Sequence, residues 1–143
     1  MEYTTSSSLE FFRRLARAQN RLARRFDGHL GAFHGLSFAD LMILLELGHA
    51  EGGKLRRVDL AERLGVTASA VTRLLIPLER IGLVTREPDP NDARVGYASL
   101  TKAATRLLGE ALEAAETIGE RELAGLSPAD LKAATKALDR LLD

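Results

Sequence analysis

Apolar residues recur at helical spacing along several stretches of the chain, and the gaps between them carry turn and capping residues. From Leu9 to Leu30 the repeat is Phe12, Leu15, Ala16, Leu22, Ala23, Phe26 and Leu30, with Gln19 a polar exception. This predicts a long N-terminal helix, with Arg13, Arg14, Arg17, Arg21, Arg24 and Arg25 on its other faces, their stems lying over apolar neighbours. Residues 29–35, punctuated by glycines, are expected to form a loop. Ser37 and Asp40 then form a capping-box-like start. The helix they open, Phe38 to about Gly48, is apolar nearly all round and is therefore expected to be central and buried.

Gly52 and Gly53 mark a turn, and Leu55 to Arg57 suits a short strand. Val58 to Leu64 predicts a short helix with Leu60, Ala61 and Leu64 inward, stopped by Gly65. Thr67 caps the next helix, whose inward face is Val71, Leu74, Leu75 and Leu78. Two short helices a few residues apart around a glycine have helix-turn-helix spacing, which many helical hairpins share. Past Gly82, the runs Leu83–Glu87 and Val95–Leu100 predict paired strands around Pro88-Asp-Pro-Asn-Asp92. A hairpin placed there is a wing. Thr101 opens a long helix to about Ala124, and Ser127-Pro-Ala-Asp130 starts a last one. The fold class is mainly α with a small β wing, a winged helix-turn-helix. The organisation expected from this is an N-terminal dimerisation helix and loop over residues 1–36, a winged helix-turn-helix lobe over 37–101, the part expected to bind DNA for the reasons given below, and C-terminal dimerisation helices over 102–143. The outer helices carry apolar stripes with no core of their own, so pairing with a second copy buries them economically.

Composition adds limits. At 143 residues, with 45% hydrophobic and 28% charged side chains, the chain is globular and sized for one domain. It has no cysteine, which excludes thiolate metal sites and fits a reducing, cytoplasmic setting. The longest wholly apolar run, Leu41 to Leu45, is far short of the ~20 residues of a membrane span. Although the net charge is +0, residues 54–106 hold ten basic and six acidic side chains, and residues 107–143 hold four and eight. A basic middle steers a polyanion even when the whole chain is neutral.

The chemistry follows from that middle segment. The N-terminal half of the second motif helix presents Ser69, Ala70, Thr72 and Arg73 away from its core face, as a helix entering the major groove of double-stranded DNA would. Arg73 can take a guanine bidentately. On the hairpin, Arg94 has the length and charge for a minor groove, and Asp92 is placed to orient its guanidinium. A solvated helix face and a surface ion pair are the plain alternatives. Pro77 removes one helical amide bond and predicts a bend near Ile76. His29, His34 and His49 lack the spacing of a helical zinc pair, and no P-loop, dinucleotide, HExxH or GxSxG motif is present, so neither a cofactor nor an enzyme activity is expected.

Residues 66–73 (VTASAVTR), 78–84 (LERIGLV), Asp92-Ala-Arg94 and Leu100-Thr101 together resemble the MarR family of bacterial transcriptional regulators, and the order of flanking helices extends the resemblance over residues 9–142. It implies a homodimer on a pseudo-palindromic operator, with Ser69, Thr72 and Arg73 in the major groove, Arg94 in the minor groove and Asp92 orienting it. It also implies a small, aromatic or anionic effector between the dimer helices and the lobe, a place that Phe33, His34, Phe38 and Met42 are positioned to line, unless they are core. Ala104 stands where glycine is frequent, and Arg56-Arg57 where a small polar cap is frequent. Other classes compatible with the sequence are a winged helix that binds protein instead of DNA and a metal-sensing repressor.

Overall fold

The computed structural model describes the backbone of residues 1–143 and every side chain except that of Phe33. The element order is α1 (Ser7–His34), α2 (Phe38–His49), a 3-10 turn (Glu51–Gly53), β1 (Lys54–Arg56), α3 (Arg57–Leu64), α4 (Ala68–Arg80), β2 (Val84–Pro88), β3 (Gly96–Leu100), α5 (Lys102–Glu122) and α6 (Pro128–Leu142). The three strands make one antiparallel sheet in the order β1-β3-β2, with Arg56 opposite Tyr97 and Glu87 also opposite Tyr97 on the other side. No helix is long and apolar enough to cross a membrane.

The α2 helix lies at the centre, as its all-round apolar pattern predicts: Leu41, Ile43, Leu44 and Leu47 are buried. Around it pack Leu30 and Leu36, Leu60 and Ala61 of α3, Val71, Leu75 and Leu78 of α4, Val84 and Ala98 of the sheet, and Ala104, Leu108 and Ala111 of α5. Four side-chain caps expected from the sequence form. Ser37 makes a full capping box with Asp40, and the hydroxyls of Thr67, Thr101 and Ser127 accept from the amides of Ala70, Ala104 and Asp130. The start of α3 has no side-chain cap, Arg56 occupying the cap position.

One expectation is corrected. Residues 29–34 are not a loop; α1 continues through Gly28 and Gly31 and stops at Gly35, whose φ of 69° closes the helix in the left-handed region. Each interior glycine costs about 1 kcal/mol relative to alanine. Burying Leu30 completely, worth about 1.5–3 kcal/mol, offsets that, as does Phe26 packing on Phe38 with ring centroids 4.9 Å apart. At Pro77, where a bend is expected, α4 remains one continuous helix from Ala68 to Arg80. The helix α6 buries none of its residues, and Leu131, Leu138, Leu141 and Leu142 stand exposed along it.

Candidate nucleic-acid interface

The α3-turn-α4 unit turns at Gly65, which adopts a φ of 69° and lets the amide of Val66 reach the Ala61 carbonyl. With Val71, Leu75 and Leu78 buried, the opposite face of α4 is the one presented to solvent. Ser69 and Arg73 are exposed there, and Ala70 and Thr72 are half-buried. Arg73 takes part in none of the ion pairs found among the described residues. Thr72 is already engaged: its hydroxyl donates to the Ala68 carbonyl at 3.2 Å and accepts from Arg57 Nη1 at 3.3 Å.

At the wing tip, Asp92 grips Arg94 in three ways. Its carboxylate accepts the Arg94 backbone amide at 3.0 Å, Nε at 3.2 Å and Nη2 at 3.4 Å. The Arg94 side chain is 91% exposed and still held in one orientation. The Arg94 guanidinium, and then its amide, keep the Asp92 carboxyl below its ordinary range. Asp89 makes the same two-residue turn one step earlier, accepting the Asn91 amide at 2.7 Å. That amide, followed by the Tyr97 hydroxyl, holds the Asp89 carboxyl low as well. Tyr97 donates to Asp89 at 3.2 Å and accepts from Arg56 Nε at 3.4 Å, while Lys54 and Arg56 flank its ring. The tip is thus tied to the sheet.

Sequence reasoning missed Arg56, Asp89 and Tyr97. The repeated Asp-x-Asn and Asp-x-Arg spacing, typical of side chains that bond the amide two residues on, could have flagged Asp89. It also missed Arg57 and Arg86. Together with Arg94 they line a groove of about 300 Å³ at the base of the wing.

A second cleft, of about 380 Å³, lies between α1, α2 and the α3–α4 unit. Phe38 and Met42 line it, together with Asp27, Glu46, Arg63 and Leu74. His34, expected in this set, is not among the lining residues, and the side chain of Phe33 lies outside the described residues. Among the described residues, no group of three or more His, Asp or Glu side chains is arranged to hold a metal ion.

Comparison with known proteins bears directly on this arrangement. The profile of the MarR family matches residues 34–95, from the end of α1 to the wing. The chain is 24% identical over 137 residues to the HTH-type transcriptional regulator MhqR of Bacillus subtilis, covering 96% of this chain and 92% of that one. Its fold superposes on AbsC, a MarR family transcriptional regulator from Streptomyces coelicolor, with a TM-score of 0.83, 25% identity and coverage of 99% and 95%.

The chain is similar to the MarR family, through the profile over residues 34–95 and through these relatives along nearly its whole length.

What it shares with these proteins is the fold, a helix-turn-helix followed by a β-hairpin wing between long flanking helices. A further similar structure, BpsR of Bordetella bronchiseptica, is 25% identical with a TM-score of 0.82, over 94% of this chain and 99% of that one. DNA binding by BpsR is regulated by 6-hydroxynicotinic acid.

Proposed function

We propose that this chain is a regulator of the MarR family, a ligand-responsive repressor that binds a pseudo-palindromic operator as a homodimer, in the cytoplasm. The observation that carries the reading is the Asp92-held Arg94 on an exposed wing, beside a helix whose solvent face offers Ser69 and Arg73. An exposed arginine held by a neighbouring carboxylate has less rotamer freedom to lose when a partner arrives, which lowers the cost of binding. Arg94 suits a minor groove, and Ser69 and Arg73 the adjacent major groove. Ala70 is small enough to let α4 approach the base edges.

Dimerisation has its own support. The exposed Leu131, Leu138, Leu141 and Leu142 of α6, with Leu9, Phe11 and Phe12 of α1, form apolar faces that a second copy would cover. Two recognition helices would then lie about 34 Å apart, one turn of DNA. For the effector, we favour the cleft lined by Phe38 and Met42. Asp27 and Glu46 face it against Arg63 alone, and Arg63 already lies 3.7 Å from Glu46. That balance favours a neutral aromatic molecule over a small anion. Occupancy of the cleft would weaken operator binding through unequal affinity for two placements of the lobe.

The test is selection of bound DNA from a random duplex pool, repeated with neutral and anionic aromatic compounds. A two-fold-symmetric consensus whose retention falls with a neutral aromatic is the expected outcome. Enrichment of no sequence would refute the reading.

A further inference from the structure

The groove at the base of the wing has features that the recognition helix and Arg94 leave unexplained. Arg57, the first residue of α3, sends its side chain across to α4, where Nη1 donates to the Thr72 hydroxyl at 3.3 Å and Nη2 to Glu79 Oε1 at 3.4 Å. The Arg57 side chain is 23% exposed. A guanidinium has five N–H donors, and these two bonds fix its plane while leaving the others undirected. Thr72 suits this task because its proton is committed to the Ala68 carbonyl, which leaves the oxygen as an acceptor. Across the groove stand Arg86 of β2 and Arg94. Arg86 is in none of the ion pairs among the described residues. No carboxylate lines the groove, whose remaining walls are Pro88, Ala93, Val95 and Gly96. Arg57 and Arg94 are each held by one carboxylate outside the groove lining, Glu79 and Asp92, and Arg86 by none among the described residues. The three guanidiniums around this small space thus form a site for a doubly hydrogen-bonded oxyanion.

We propose that this groove seats a phosphodiester of the DNA backbone, with Arg57 and Arg86 as its ligands and Thr72 and Glu79 as the residues that position Arg57. The inference rests on the DNA-binding reading above. When a helix occupies a major groove and a wing the neighbouring minor groove, one sugar-phosphate strand runs between them, and the groove lies between the wing and Arg57, whose guanidinium is bonded to α4. Thr72 then acts on DNA through Arg57 instead of touching a base. Contacts to phosphate add affinity without sequence information.

The test measures binding of the full chain to its selected operator and to an unrelated duplex over a salt series. For Arg57→Gln combined with Arg86→Ala, the slope of log K against log salt becomes shallower by about 0.9, the value for one phosphate released. Affinity near 0.1 M salt falls about tenfold on both duplexes alike. Arg57→Lys with Arg86 intact keeps the native slope, because the charge remains. Arg86→Ala alone, a change at an exposed strand position, shifts the slope in the same direction and guards against a fold defect in the double variant. An unchanged slope in both Arg86→Ala and the double variant overturns the seat. So does a loss confined to the operator, since that would make Arg57 a base reader. If the native chain binds neither duplex, the DNA-binding reading falls and the seat with it; if the native chain binds and only the slopes stay fixed, the seat alone is wrong.

Discussion

Asp92 and Arg94 form a unit that ordinary surface pairs do not, because the carboxylate holds both the side chain and the amide of the same residue. The Asp92 carboxyl is depressed in the folded chain by Arg94. The stability it contributes is therefore present above its unfolded value and is lost as pH falls through the folded one. In a carbon-detected NMR titration, Asp92 should show a midpoint below 3.8, its ordinary value, and Arg94→Ala should move that midpoint upward. No movement would mean that the amide and the surroundings, not the guanidinium, set it. Arg73 has a different task. Arg73→Ala should weaken operator binding by about 1–3 kcal/mol, the range for one bidentate base contact, with far less effect on unrelated DNA; fluorescence anisotropy on both duplexes checks this. At this scale the sequence was readable where partners are close along the chain. Asp92 and Arg94 are two residues apart. Arg56 and Tyr97 are 41 apart and meet only because β1 pairs with β3, a register that no local pattern announces.

The helices were legible through their ends. Ser37, Thr67, Thr101 and Ser127 each stand before an apolar repeat and each accepts the expected amide, since a cap is a short-range hydrogen bond written in adjacent residues. The length of α1 was not legible. Glycines at 28, 31 and 35 look alike in sequence, yet only Gly35 takes up a positive φ; the burial of Leu30 and the packing of Phe26 on Phe38 decide the other two. Nothing lies within 4 Å of a Cβ placed on Gly28. Gly28→Ala should therefore raise stability by about 0.5–1 kcal/mol, read as a higher chemical-denaturation midpoint; a lower midpoint would argue that α1 is not helical there. Thr101→Ala removes the cap of α5 along with bonds to the Gly82 carbonyl at 2.8 Å and the Leu83 carbonyl at 3.3 Å. It should cost about 1–2 kcal/mol in the same assay, more than an exposed threonine elsewhere on α5.

The whole molecule has one well-filled core and a large unfilled remainder. The core gathers around α2 and includes the lobe and the inner face of α5. The remainder is α6 and the start of α1, whose apolar stripes are exposed in the single chain. This division was visible in the sequence as repeats without partners. Leu138→Glu should leave helix content unchanged and shift sedimentation at micromolar concentration towards the monomer, with a parallel loss of operator affinity. A variant that sediments like the native chain would place the pairing surface elsewhere.

Thr101 also has a mechanical meaning. Its hydroxyl joins the end of α4 and the start of β2 to the first turn of α5, so the reading head is bolted to the shaft at that point. At the other junction, between α1 and α2, the Phe38 amide donates to Asp27 at 2.6 Å beside the Phe26–Phe38 ring contact, and Asp27 and Phe38 both line the cleft. If the proposed effector occupies the cleft, it would press on that contact and not on Thr101, so the proposed change in lobe placement would turn about Thr101 as a door turns about its hinge.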